Sequence, residues 1–92
     1  MIIEPDKFIQ VIRDHKDILL ESKNTQFLQV SDIQLEQFRN NFFGLVKDYG
    51  LPSMFNHAYL IMNELNEATQ TFDAEYFVAP SETDMHDLYK KS

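Results

Sequence analysis

The chain has 92 residues, 15 Asp+Glu against 8 Lys+Arg, and a formal net charge of −7. That length holds one domain (residues 1–92), and 43% hydrophobic with 25% charged residues is the composition of a folded chain rather than a disordered one. It contains no cysteine, which excludes disulfides, iron–sulfur ligation, thiolate zinc sites and a Cys nucleophile.

The opening Met1-Ile2-Ile3-Glu4-Pro5-Asp6 has no basic segment and no cleavage site, so it does not read as a signal peptide. Pro5 at a first-turn position with Asp6 beside it predicts a helix over 5–22, with Phe8, Ile9, Ile12 and Leu19 inward and Val11 and Ile18 widening the stripe. Gln26 to Val30 reads as a strand or an extended link. Ser31-Asp32-Ile33-Gln34 has the form of a capping box and starts a predicted helix over 31–49. Its inward face is Leu35, Phe38, Phe42, Leu45, Val46 and Tyr49, and Gly50 is a natural stop.

Ser53 is placed to cap a third helix over 53–70, whose broad apolar face runs from Met54 and Phe55 through Ala58, Tyr59, Ile61, Met62 and Leu65 to Ala68. Tyr76-Phe77-Val78 is the best strand candidate, closed by Ala79-Pro80. Ser81-x-x-Asp84 is a second cap signature and introduces a short last helix with Met85, Leu88 and Tyr89 inward. The fold class expected is mainly α, with three main helices and a short C-terminal one. Segments 26–30 and 75–79 could pair as a small two-stranded sheet, an α+β alternative.

No apolar run exceeds five residues, against the roughly 20 that span a bilayer, so the expectation is a soluble, intracellular protein without a membrane segment. Eight Phe and four Tyr beside only two Gly leave two readings open: a Phe-rich self-sufficient core, or aromatic surface committed to a homodimer.

The distribution of charge says more than its sum. Residues 1–47 carry seven acids and six bases. From Asp48 to Tyr89 there are eight acids and no Lys or Arg: Asp48, Glu64, Glu67, Asp73, Glu75, Glu82, Asp84 and Asp87. Within that stretch such carboxylates find no i,i+4 basic partner, and like charges within a Debye length of about 8 Å destabilise the folded state. One reading is a surface made acidic for solubility; the other is a surface that engages a cationic partner, such as the nucleic-acid-binding face of another protein. These eight residues are the candidate partner-binding set. Predicted helical pairs such as Glu64 with Glu67, or Asp84 with Asp87, would hold their Cβ atoms roughly 5–6 Å apart, close to a phosphate step of ~6–7 Å.

Catalytic chemistry is not expected. His15, His57 and His86 form no metal-binding spacing, and no cofactor motif is present. Gly44 and Gly50 are the only glycines, too few for a phosphate loop. No Ser sits in the Asp-Ser-Leu context of an acyl carrier. Direct nucleic-acid binding is disfavoured because phosphates would meet like charge.

The opening Met1 to Asp6, the chain size and the acidic block Asp48 to Tyr89 together resemble the anti-restriction nuclease (Arn) family of T-even bacteriophages. The resemblance spans the whole chain and implies an early phage DNA mimic working in the host bacterial cytoplasm, without catalytic residues or cofactor. It implies a McrBC-type restriction endonuclease as target, the nucleoid protein H-NS as a second candidate, and a homodimer whose acidic faces approximate a duplex. The mixed charge of residues 1–47 departs from an ideal mimic, and Lys7, Arg13, Lys16 and Lys23 would have to face elsewhere. The alternative from another class is a small helical adaptor docking through an apolar face around Phe42, Phe43, Phe55 and Tyr59.

Overall fold

The computed structural model describes residues 3–92; Met1 and Ile2 of the opening segment lie outside the described residues. The chain is mainly α with a small β pair. In order come α1 (Pro5–Asp14), α2 (Lys16–Glu21), β1 (Gln26–Gln29), α3 (Asp32–Gln37), α4 (Phe42–Asp48), a 3₁₀ turn (Ser53–Phe55), α5 (Asn56–Met62), β2 (Tyr76–Ala79) and α6 (Glu82–Lys90). β1 and β2 pair antiparallel, with Gln26 opposite Ala79 and Gln29 opposite Tyr76. The two extended candidates in the sequence therefore do form one sheet.

The Ser31 and Ser81 caps form as expected. Ser31 Oγ accepts from the Gln34 N–H while Gln34 Oε1 accepts from the Ser31 N–H, and Ser81 Oγ accepts from the Asp84 N–H. Gly50 ends α4 in the left-handed region (φ +73°), with the Gly50 N–H on the Lys47 carbonyl and the Leu51 N–H on the Val46 carbonyl. This is the two-bond Schellman arrangement.

Each of the three long helices expected from periodicity is shorter than predicted. The first breaks at His15, whose Nδ1 lies 2.8 Å from the Val11 carbonyl oxygen. A side chain that enters the i→i−4 ladder bends the helix. The second breaks between Phe38 and Phe42, where the loop from 63 to 75 takes over the backbone. The Phe72 N–H donates to the Arg39 carbonyl (2.9 Å), the Phe42 N–H to the Ala68 carbonyl (3.0 Å), and the Asn40 amide to the Thr69 carbonyl (3.1 Å). Asn41 then caps α4 through the Gly44 N–H, and a side chain at Gly44 would clash with Asn41 and Phe38.

The third helix ends at Met62 rather than near 70. Its stop is a second Schellman turn, with the Glu64 N–H on the Ile61 carbonyl, the Leu65 N–H on the Leu60 carbonyl, and Glu64 itself at φ +60°. Ser53 caps nothing; the chain enters through a 3₁₀ turn with no side-chain cap. Two residues assigned to apolar stripes face solvent instead, Ile18 at 57% and Met54 at 65% exposure.

The core centres on Phe77 of β2. Its ring stacks on Phe42 at 5.3 Å and meets Tyr49 at 5.3 Å, Tyr59 at 5.8 Å and Phe72 at 6.4 Å. A second aromatic group joins Phe8 to Phe55 and Tyr89, and the Tyr89 hydroxyl accepts the Glu4 N–H. The aromatic surplus thus goes mostly inward. Phe42, Phe55 and Tyr59 are buried and Phe43 half-buried, so the residues named for an apolar dock belong to the core. Among the described residues only Phe27 and Tyr76 are exposed aromatics.

Candidate partner-binding surface

The eight acids of the candidate set reach the surface from four kinds of position. Asp48 closes α4, and its Oδ2 accepts from Gln34 Nε2 at 3.0 Å. Glu64 and Glu67 lie beyond α5, in its terminal turn and the following loop, so the i,i+3 helical spacing expected for them does not exist. Glu64 pairs with Lys16 of α2 at 3.2 Å. Asp73 and Glu75 lie before β2, and the Glu75 carbonyl takes the Val30 N–H.

Glu82, Asp84 and Asp87 all belong to α6, where acids in the first turn also complement the helix dipole. They do not point the same way. Asp84 and Asp87 line a shallow cleft with Ile18, Ser22, Leu88 and Lys91, whereas Glu82 borders a different one beside Tyr59 and Pro80. Burial, and after it the Glu82 charge, pushes the Tyr59 phenol up to about 12. Asp84 is the one half-buried acid: the Ser22 hydroxyl donates to its carboxylate, and the Asn24 amide reaches it at 3.5 Å.

Tertiary structure also adds acids that primary position assigned to the mixed half. Asp32 and Glu36 of α3 border a shallow cleft with Asp73, beside Arg39. Counting acids along the chain hides this grouping, because Asp32 and Asp73 are forty-one positions apart. The i,i+4 spacing of Asp32 and Glu36 was the available signal.

No family model, curated protein or solved structure matches the chain. What the surface offers is therefore read from its own charges. Of fifteen carboxylates, fourteen are exposed, and the Lys16–Glu64 contact is the one ion pair among the described residues. Among the described residues, no group of three His, Asp or Glu side chains is placed to hold a metal ion, and no helix is long and apolar enough to cross a membrane. Two of the three histidines lie beside aromatic rings, His57 near Phe43 (5.8 Å) and His86 edge-on to Phe55 (5.6 Å).

Proposed function

We propose that this protein is a DNA mimic, an acidic inhibitor that occupies the DNA-binding surface of a host protein, as the anti-restriction family it resembles implies. A McrBC-type restriction endonuclease is the target of this reading, with H-NS as the second candidate. The observation that carries it is the uncompensated surface: fourteen exposed carboxylates and a single ion pair among the described residues. An exposed carboxylate without a cationic neighbour is free to take one from a partner, and such charge complementarity speeds encounter and selects the partner.

Magnitudes set the scale of the imitation. The chain extends 39 × 25 × 20 Å. A duplex of that length has about 11 base-pair steps and ~23 phosphates. One copy, with fifteen carboxylates and a net charge of −7, stands in for part of that charge. A homodimer doubles it.

The test uses acids that have no side-chain hydrogen bond among the described residues. The Glu67→Gln/Asp73→Asn/Glu75→Gln/Asp87→Asn variant should keep the fold and compete far less well with DNA for the purified endonuclease. Inhibition by the parent should weaken steeply as salt rises from low to physiological concentration. Equal inhibition by parent and variant at both salts would leave the acidic surface a solubility device and end the mimic reading.

A further inference from the structure

The sheet has an exposed face that neither the core nor the acidic surface explains. Phe27, Gln29, Tyr76 and Val78 alternate outward from the core-facing Leu28, Phe77 and Ala79. A solvent-facing side of an antiparallel pair is normally polar. Here Phe27 is 54% and Tyr76 52% exposed, and Phe27 stands directly opposite Val78.

The two outer edges of this sheet are treated differently. The Val30 N–H on the Glu75 carbonyl sets the alternation, so Gln26, Leu28 and Val30 bond inward while Phe27 and Gln29 turn their backbone groups outward. On β2 the outward groups of Val78, though not those of Tyr76, are closed by the Asn63 amide, whose Oδ1 accepts the N–H at 2.8 Å and whose Nδ2 donates to the carbonyl at 3.0 Å. On β1 the Tyr49 hydroxyl donates to the Gln29 carbonyl. No hydrogen bond within the described residues reaches the outward N–H and C=O of Phe27 or the N–H of Gln29. The edge has no Lys, Pro or bulge of the kind that blunts open strands.

We infer that a second copy of this chain covers this edge, pairing β1 with β1 antiparallel about a two-fold axis to make a four-stranded sheet. Charge selects that occupant and that direction. The strand Gln26–Gln29 is uncharged, so two copies of charge −7 meet there with least repulsion. Its ends are complementary: Lys23 precedes it and Asp32 follows it, both exposed and neither in an ion pair among the described residues. A two-fold pairing centred on Leu28 brings Lys23 of each copy to the end occupied by Asp32 of the other, and sets each Phe27 beside the other copy's Gln29. The inference rests on the dimer component of the proposed function and names the surface that makes it.

Sedimentation equilibrium from 1 to about 100 μM tests it, a range bracketing a micromolar dissociation constant. The parent should dimerise, and more tightly at higher salt, because screening relieves the repulsion between acidic copies. That salt response is opposite in sign to the one expected for the complex with the endonuclease. Phe27→Lys, and separately Gln29→Pro, which removes the outward N–H without removing a β1–β2 ladder bond, should each raise the dimer dissociation constant about thirtyfold or more, the scale of a hot-spot loss. Circular dichroism of each variant checks that the monomer remains folded, and Tyr76→Lys serves as the second face variant if one does not. A dimer that persists in all folded variants overturns the interface while leaving dimerisation intact. A parent that stays monomeric across the range overturns the inference and leaves the edge to a different protein, and endonuclease inhibition by that monomer would keep the mimic reading.

Discussion

Glu64 occupies a conformation that usually belongs to glycine. α4 and α5 end in the same Schellman turn, one with Gly50 at φ +73° and the other with Glu64 at φ +60°. A left-handed conformation costs a side-chain-bearing residue roughly 1–2 kcal/mol, and an exposed ion pair such as Glu64 with Lys16 returns about 0–1 kcal/mol. Glu64→Gly is therefore expected to stabilise the fold by up to about 1 kcal/mol, read as a higher urea midpoint with an unchanged slope. Tyr59 contributes to the alkaline limit. Its phenol is raised from 10.0 to about 12 in the folded chain, so between those values the unfolded state has lost a proton that the folded state keeps. Stability is then full below pH 10 and falls as pH rises toward 12. Urea titrations at pH 9 and pH 11 should differ in that direction, and Tyr59→Phe should flatten the difference.

At the scale of elements, one side chain joins two of them. The Asn63 amide caps α5 through the Tyr59 carbonyl (2.8 Å) and closes the β2 edge at Val78. Removing it leaves a half-buried Val78 N–H and C=O without partners, at a cost of about 2 kcal/mol. Asn63→Ala should lower the unfolding free energy by that amount and speed amide exchange at Val78 without changing the helix content. Periodicity could not foresee this role. Asn63 reads as an ordinary helical polar position, and its partner lies fifteen residues away.

For the whole molecule, the relevant quantity is self-repulsion. Eight acids without a base between Asp48 and Tyr89, nearly all exposed, destabilise the compact state unless salt screens them. The parent should gain stability as salt is added. The Glu67→Gln/Asp73→Asn/Glu75→Gln/Asp87→Asn variant should start higher, by on the order of 1 kcal/mol or roughly 4–8 °C in Tm, and respond less. A thermal melt series from 10 to 500 mM salt (a range chosen to span Debye lengths of about 30 Å to a few Å) checks both. A mimic loses function as it gains stability in this series; an acidic surface kept for solubility shows the stability change alone.

Local chemistry was enough to read the Ser31 and Ser81 caps, the Gly50 stop, the inward faces of α1, α4 and α6, and the two strand candidates. Each rests on interactions within four residues or on strict alternation, and those are present in the linear chain. The same is true of the uncompensated charge, which is a count. What the sequence alone did not decide were the places where backbone groups found distant partners. The predicted helix over 31–49 opens at 38–41 because Arg39 and Phe42 bond to Phe72 and Ala68, some thirty residues on, rather than to their own ladder. Folding likewise sorted the twelve aromatics, turning ten inward and leaving Phe27 and Tyr76 exposed on the sheet. It also set Asp32 and Glu36 beside Asp73. Competition between a local hydrogen bond and a remote one is settled by packing, and only the folded chain contains both competitors.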